Sequence, residues 1–334
     1  MDGRSPVIAG THASRIRRRR SLADGGTAVI RGRLGRISSH RVPPPVEYHL
    51  PRRPAIVRGR KGANAVTQFS DIVYEVEGRS AIIRLNRPEK LNAFTYHTLA
   101  EIRKALDLAV ADPAVAGIIV TGTGRGFSSG LDSQTLMETV SATGNRDRSP
   151  ADTTELPGLF SYFLDAPKPI VAAINGVAAG GGFVLAAKCD VRICSTAASF
   201  STTFMKRGLI AEHGMTWLLP RLIGPGAAFD LLLTSKRIDA AEALRLGLVE
   251  YLVEPDALLP RACAYIDLIA ASAAPLAVAE SKQLLYRHMG TPHPESFREA
   301  DKVQWDAVGR PDASEGARAL LEKREPHFAP LPRP

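Results

Sequence analysis

The chain has 334 residues, of which 45% are hydrophobic and 23% are charged. This composition indicates a globular protein with a substantial core in one large domain or two small ones. The formal net charge is +9, but it is concentrated: residues 1–60 hold 14 Arg, no Lys and three acids, a balance of +11, so the other 274 residues balance at −2. A basic main body that would attract nucleic acid or a membrane surface is therefore excluded.

Residues 1–66 form an Arg- and Pro-rich segment with no sustained apolar period. This composition predicts a disordered or loosely attached extension. Three roles stay open for it: a solvated extension without function, a cleaved organelle-targeting peptide, or an arm that binds nucleic acid. The arm is least favoured, because the Arg run has no interleaved aromatic residues for base stacking. We expect a cytoplasmic protein, or a mitochondrial-matrix protein if the segment is a transit peptide.

The cysteines Cys189, Cys194 and Cys263 are odd in number and fit no metal-ligand spacing. Neither a disulfide framework nor a zinc site is indicated, and a reducing compartment is expected. The N-terminus has no apolar stretch after its charges, so the sequence predicts no secretory signal peptide.

From about Phe69 the pattern changes to alternating short strands and helices. Ser80–Asn86 and Ala116–Gly122 are predicted to be strands, and Thr95–Ala111 is predicted to be the helix between them, because its apolar residues recur at helical spacing. Strand, helix and strand in this order predict an α/β fold. The polar stretch Met137–Leu156 is predicted to be a surface loop or a frayed helix that shapes the substrate pocket.

The stretch PIVAAINGVAAGGGFVLAAKCD, Pro169–Asp190, is almost free of polar side chains. A membrane span needs about 20 mainly apolar residues in one helix, and here Asn175-Gly176 interrupts the stretch while glycines 180–182 weaken a helix. We therefore predict a buried strand at 170–174, a turn, and a helix over about 180–187. Another strand is predicted over 190–195.

After Pro255 the strand patterns end and amphipathic helices remain. They are predicted at Ala257–Ser272 and Pro275–Met289, with two shorter ones between Pro294 and Lys323. The chain is thus expected to comprise the extension at 1–66, an α/β core at 67–254 and a helical region at 255–334. The apolar faces of these helices are expected to cover the core or a neighbouring subunit.

Two glycine-containing turns lie between predicted strands and helices: GTGRGFSSGLD at Gly122–Asp132 and NGVAAGGGF at Asn175–Phe183. Glycine at such places lets a ligand approach the main chain and leaves amide N–H groups at a helix start free to face an anion. Neither turn fits the G-x-G-x-x-G or the P-loop pattern, so nucleotide phosphate binding is not indicated.

Together with LNRPEKLNAF at Leu85–Phe94, these turns resemble the crotonase family, also called the enoyl-CoA hydratase/isomerase superfamily. The resemblance runs from about Phe69 to His288, with the motifs in the family's order and spacing. It implies an α/β fold of the crotonase type, a spiral of ββα repeats with a C-terminal helical region that forms trimers. It further implies an acyl-CoA substrate, a homotrimer or a dimer of trimers, and neither a metal nor a redox cofactor.

By motif match, the backbone amides of Ser128 and Gly181 are the pair that holds the thioester oxygen as negative charge develops on it. Removal of one such donor typically costs on the order of 10²–10³ in rate. The same resemblance assigns the CoA-contacting turn to Lys90, Leu91 and Ala93.

Two further residues carry over more loosely from the resemblance. Lys282 resembles a lysine of the C-terminal helices that can meet the CoA phosphates, but a lysine on a surface helix is as often merely solvated. Asp132 either caps the following helix or touches substrate.

Two-glutamate hydratases of this family place one acid two residues after the glycine run and another on a later segment, where this chain has Val184 and Phe204. Neither side chain can move a proton, so hydration by two carboxylates is not expected. The segment KRGLIAEHGMTWLLPRLIG at Lys206–Gly224 resembles RLGL-x-x-(Glu or Asp)-x-G of the family's isomerases, with Glu212 at the acidic position. One carboxylate suffices to take a proton from one carbon and return it to another.

The sequence therefore predicts isomerisation of a 3-enoyl-CoA to a 2-enoyl-CoA with Glu212 as the single acid/base. The alternatives are hydration with Glu212 as the lone base, and a catalytically silent acyl-CoA-binding protein. The apolar residues around Glu212 are expected to bury it and suit it to proton transfer. Its other interpretations are a solvated acid near a helix start and an ion-pair partner of Arg207. His213 is expected to pack or hydrogen-bond rather than act as a second base.

Overall fold

The structure is a computed structural model that describes residues 69–142 and 159–332. The extension predicted at 1–66 and residues 143–156 of the predicted polar loop lie outside the described residues. The strands are β1 Ile72–Glu77, β2 Ser80–Leu85, β3 Gly117–Gly122, β4 Gly126–Ser128, β5 Ile170–Ile174, β6 Val177–Ala179, β7 Val191–Ser195, β8 Ser199–Ser201, β9 Ile238–Asp239 and β10 Tyr251–Val253. The α-helices are α1 Tyr96–Ala111, α2 Ser133–Ala142, α3 Tyr162–Asp165, α4 Gly181–Lys188, α5 Met215–Thr234, α6 Ala240–Leu246, α7 Leu258–Ser272, α8 Pro275–His288, α9 His293–Val308 and α10 Pro311–Glu322.

Within the described residues the strands form two sheets, one in the order β1-β2-β3-β5-β7-β10 and the other in the order β4-β6-β8-β9. Strands β2, β3, β5, β7 and β10 are parallel, and β1 pairs antiparallel with β2. In the smaller sheet β4, β6 and β8 are parallel, and β9 is antiparallel to β8.

The chain alternates between the two sheets. In three successive passes, β3-β4-α2, β5-β6-α4 and β7-β8-α5, one strand joins the larger sheet, the next joins the smaller sheet, and a helix follows. This arrangement confirms the predicted α/β fold with a spiral of ββα repeats. It also places α4 directly after β6 and α2 a short turn after β4, whereas a longer loop separates α5 from β8.

The larger sheet is buried on both faces along β3 and β5, which is why these two central strands are mainly apolar. In β3, Ile118 and Val120 belong to the core between the sheets, whereas Ile119 faces the opposite way and packs with Ile266 of α7. Contact with α7 is close: a Cβ on Gly117 would lie 2.3 Å from Cδ1 of Ile266.

Most predicted elements are present, with small shifts at their ends. Helix α1 begins at Tyr96 because Thr95 is its N-cap, and the Thr95 and Thr98 side chains each accept the other residue's backbone N–H. The prediction that the last two helices are shorter is wrong for α9, whose 16 residues exceed the 15 of α7. The short strands β4, β6, β8, β9 and β10 were not predicted, because two or three residues cannot display an alternating pattern.

The C-terminal helices expose several large apolar side chains. Phe297 and Trp305 on α9 are 63% and 67% exposed, and Leu320 and Leu321 on α10 are 80% and 84% exposed. In the described part of the chain, no single helix is long and apolar enough to cross a membrane. Helices Pro255–Ser272 and Pro275–His288 pass that test only as a pair, which is bent by 114°.

Candidate active site

The turn before α1 is fastened to the loop that follows β4. The Phe94 N–H donates to the Gly130 carbonyl at 2.7 Å, and the Ser129 N–H donates to the Leu91 carbonyl at 3.0 Å. The Ser128 hydroxyl donates to the Asn92 carbonyl at 2.8 Å and accepts from the Gly130 N–H at 3.1 Å. The loop that carries the Ser128 amide is therefore held by the LNRPEKLNAF motif.

Two amide side chains, the buried Asn92 and the partly exposed Asn175, hold the turn between β3 and β4 from either side. Asn92 Nδ2 donates to the carbonyls of Thr123 and Gly126, while Asn175 Oδ1 accepts from the Gly122 N–H at 3.1 Å. Each asparagine belongs to a different motif, so the three motifs form one hydrogen-bonded unit. Neither asparagine was predicted as a site residue, although both lie inside the motifs that indicated the family.

The Gly181 amide lies at the start of α4. Since the helix begins at Gly181, its N–H has no acceptor within the helix. The loop after β4 approaches it closely: a Cβ on Gly130, whose φ is +92°, would lie 2.6 Å from the Gly181 nitrogen. A Cβ on Gly182 would lie only 2.1 Å from the Ser128 carbonyl oxygen. The structure thus brings together the two residues whose amides were predicted to bind the thioester oxygen.

Glu212 and His213 lie on the loop before α5. The Glu212 side chain is 42% exposed and its Oε1 is 3.4 Å from His213 Nε2. The expectation that apolar neighbours bury this carboxylate is wrong, because Ile210 points outward and is 77% exposed. No ion pair joins Glu212 to Arg207 among the described residues.

His213 accepts a hydrogen bond from another segment of the chain and is influenced by a charge at the end of α4. Its Nδ1 accepts from the Leu159 N–H at 3.2 Å. Burial lowers the pKa of His213, the charge of Lys188 lowers it further, and Glu212 opposes both effects. Lys188, the last residue of α4, is 3% exposed, and burial also lowers its pKa.

Aromatic side chains connect the glycine turns with the Glu212 loop. Phe94 packs against Gly181, where a Cβ would lie 3.3 Å from its ring. Phe160 contacts Phe94 edge-on, with centroids 5.4 Å apart, and directly follows Leu159, the residue bound to His213. Three contacts, together with the peptide bond between Leu159 and Phe160, therefore link the start of α4 to the loop that carries Glu212.

The two positions at which the sequence resemblance places the acids of a hydratase are closed and apolar in this protein. Val184 is 0% exposed and Phe204 is 4% exposed, and both belong to the core between the sheets.

The carboxylate of Asp132 caps the start of α2. Its Oδ1 accepts from the Gln134 N–H at 3.0 Å, and its Oδ2 lies 3.5 Å from Arg87. Of its two predicted roles, the structure shows the cap.

The comparisons with known proteins agree with this architecture. The family model for enoyl-CoA hydratase/isomerase matches residues 75–330. The chain belongs to this family. A crotonyl-CoA hydratase from Syntrophomonas wolfei is 37% identical over 265 residues, covering 78% of this chain and 98% of that protein.

Other members of the enoyl-CoA hydratase/isomerase family show the same degree of likeness. An (E)-benzylidenesuccinyl-CoA hydratase from Thauera aromatica is 37% identical over 264 residues, covering 77% of this chain and 98% of its own. The crystal structure of an enoyl-CoA hydratase from Mycobacterium tuberculosis matches with a TM-score of 0.69 and 31% identity, over 77% of this chain and 98% of that one. The predicted family is confirmed, and the chain is an enzyme of that family.

The predicted CoA-contacting residues of this enoyl-CoA hydratase/isomerase occupy the short turn before Phe94. Lys90 is exposed, whereas Ala93 is 6% exposed and its carbonyl accepts from Arg87 at 2.7 Å. Leu91 has a φ of +51°, and its carbonyl holds the Ser129 N–H. Of the three, only Lys90 presents a charged side chain to solvent.

Lys282 does not fit the predicted contact with CoA phosphates. It is 7% exposed, and its Nζ lies 2.8 Å from Asp190 Oδ2. Its Nζ also donates to the carbonyls of Phe163 at 2.9 Å and Lys168 at 3.2 Å. These acceptors occupy the Lys282 ammonium and join α8 to α3 and to the segments just before β5 and β7, so we correct its role to a structural one.

Replacing Lys282 by Met is expected to lower the free energy of unfolding by about 3–5 kcal/mol, because the change removes a buried ammonium and leaves the partly buried Asp190 without its cation. Urea unfolding would measure this loss, and the KM for an acyl-CoA should stay unchanged. Lys302→Met, at an exposed position on α9, is the matched control and should change neither quantity. A stable Lys282→Met protein with a raised KM would restore the CoA role.

Proposed function

We propose that this enzyme isomerises a 3-enoyl-CoA to the conjugated 2-enoyl-CoA. Glu212 acts as the single acid/base, and the amides of Ser128 and Gly181 hold the thioester oxygen. The observation that carries the proposal is the burial of Val184 and Phe204 as apolar core residues, which leaves no carboxylate at either position where related hydratases have one. Glu212, on the neighbouring loop, supplies one carboxylate.

The proposed reaction needs one base and one electrostatic site. Glu212 removes a proton from C2, the electrons move into the thioester, and the oxygen becomes an enolate that the two amides stabilise. Glu212 then returns the proton to C4, so the double bond moves from C3–C4 to C2–C3 and no other reactant is consumed. Adding water is helped by a second group that holds and splits the water.

Hydration of a 2-enoyl-CoA is the second candidate, and the names of the relatives favour it. A crotonyl-CoA hydratase and a short-chain-enoyl-CoA hydratase are 37% and 32% identical to this chain. In that reaction Glu212 would activate water alone. Its exposed carboxylate is compatible with water access, and this is why both reactions are tested together.

The deciding experiment supplies 3-enoyl-CoA and 2-enoyl-CoA separately to the purified protein and resolves the products by mass and retention time. Isomer formation from the 3-enoyl thioester without added mass supports the proposal. A product heavier by one water from the 2-enoyl thioester would replace isomerisation with hydration. Binding of either thioester without turnover would identify a silent acyl-CoA-binding protein.

We also propose that the enzyme is a homotrimer or a dimer of trimers. The exposed Phe297, Trp305, Leu320 and Leu321 of α9 and α10 support an assembly, because large apolar side chains gathered on one region mark interaction surfaces. Light scattering during gel filtration would give the subunit number, and a monomer would contradict the proposal.

A further inference from the structure

We infer that His213 is a positioning residue that holds the Glu212 carboxylate through its Nε2–H, while the backbone of Leu159 holds the ring at Nδ1. The inference rests on the proposed role of Glu212, which it deepens. It assigns a catalytic support function to a residue that the sequence indicated only as a packing or hydrogen-bonding neighbour.

The first step is the tautomer of the imidazole. A backbone N–H can only donate, so the contact of 3.2 Å from Leu159 makes Nδ1 of His213 the acceptor. A neutral imidazole with an unprotonated Nδ1 carries its proton on Nε2. That nitrogen is the one facing Glu212, at 3.4 Å from Oε1. Such contacts are often long in the free enzyme and shorten when substrate binds.

The second step is the charge of the ring. Burial disfavours the imidazolium, and the ammonium of Lys188 disfavours it further, so the pKa of His213 is lowered despite Glu212. These are the charged groups that act on the ring: Glu212 from its own loop and Lys188 from the end of α4. A neutral His213 donates to Glu212 without taking over its role as the base.

The third step is the backbone. His213 has a φ of +56°, in the left-handed region that side-chain-bearing residues rarely adopt, and the next residue, Gly214, has a φ of +77°. Such strain persists only where surrounding contacts hold it, and it is common at functional sites. Here the Leu159 contact fixes the ring that faces Glu212.

Two variants separate positioning from structural support. His213→Asn suits the left-handed backbone and can still accept from Leu159, but its amide is too short to reach Glu212. His213→Gln can place an N–H donor near the position of Nε2, but it loses the Nδ1 acceptor and suits the backbone less well. The control is His293→Asn, an exposed histidine on α9.

In the full-length protein, we expect His213→Asn to lower kcat for the 3-enoyl-CoA by about 10–100-fold with KM unchanged, because the base is misplaced. His213→Gln should retain more activity than Asn although its melting temperature is lower, and His293→Asn should match the wild type. Nitrogen-15 spectra of histidine-labelled protein should show the Nε2–H tautomer for the signal that His213→Asn removes.

The opposite order of activity, with Asn more active than Gln and both following thermal stability, would mean that His213 only supports the loop. An Nδ1–H tautomer would also overturn the inference. Failure of the proposed function is distinct from both outcomes, because then the wild-type enzyme itself does not isomerise the 3-enoyl-CoA.

Discussion

Replacing Glu212 by Gln is expected to lower kcat for isomerisation by about 10²–10⁴-fold, the range that proton transfer by a positioned side chain contributes. The amide has nearly the shape of the carboxylate but cannot accept a proton from C2. Because Glu212 is 42% exposed, its loss should leave folding almost unchanged, and KM should stay close to that of the wild type. Steady-state kinetics with a 3-enoyl-CoA, followed by the absorbance of the conjugated product, would measure the effect.

The control for this change is Glu242→Gln on α6, a partly exposed carboxylate paired with Arg245. It removes the same charge from a residue that lies in neither glycine turn and should leave kcat unchanged. If Glu212→Gln isomerised at the wild-type rate, a single-carboxylate mechanism through this residue would be untenable, and another group would have to carry the proton.

Replacing Gly182 by Ala is expected to abolish most activity towards either thioester. The added Cβ would lie 2.1 Å from the carbonyl oxygen of Ser128 and 2.7 Å from its carbonyl carbon, so the start of α4 and the loop after β4 must move apart. The two amides belong to these segments, and misplacing even one donor typically costs on the order of 10²–10³ in rate. The forced separation should also destabilise the protein by about 1–3 kcal/mol.

Gly226→Ala in α5 is the matched control, because a Cβ there meets no atom within 4 Å. It should leave activity and melting temperature close to the wild-type values. Both variants are measured with the same thioester and by thermal unfolding. Full activity in Gly182→Ala would show that the amides of Ser128 and Gly181 do not act as the oxyanion site.

The family could be predicted because each motif that indicates it is a short, continuous stretch of sequence. Each glycine turn is a short stretch whose composition reports directly on a backbone that approaches another chain segment or a ligand. Gly182 packs on Ser128, and Gly130 packs on Gly181. Both glycines lie in glycine-containing turns that the sequence alone indicates. The apolar runs of β3 and β5 are equally local, since a strand buried on both faces favours a nearly continuous run of apolar residues.

Contacts between residues far apart in the chain are not indicated by any short sequence pattern. Lys282 binds the Phe163 carbonyl 119 positions away, and His213 accepts from Leu159 across 54 positions. A lysine on an amphipathic helix has the same pattern whether it is solvated or buried against an aspartate. Its role is decided by what packs opposite, and for Lys282 that is Asp190.

For the Glu212 loop, a local motif and the packing of distant segments each determine part of the site. The sequence was enough to propose Glu212 as the acid, because a short motif places it after RGLIA and before the following helix. Its exposure, its contact with His213 and the tautomer of that ring depend on how α4, α5 and the chain at Leu159 meet. Composition and motif order therefore specify the family and its candidate residues, while the environment of each titratable group follows from packing, because burial and neighbouring charges act through space rather than along the chain.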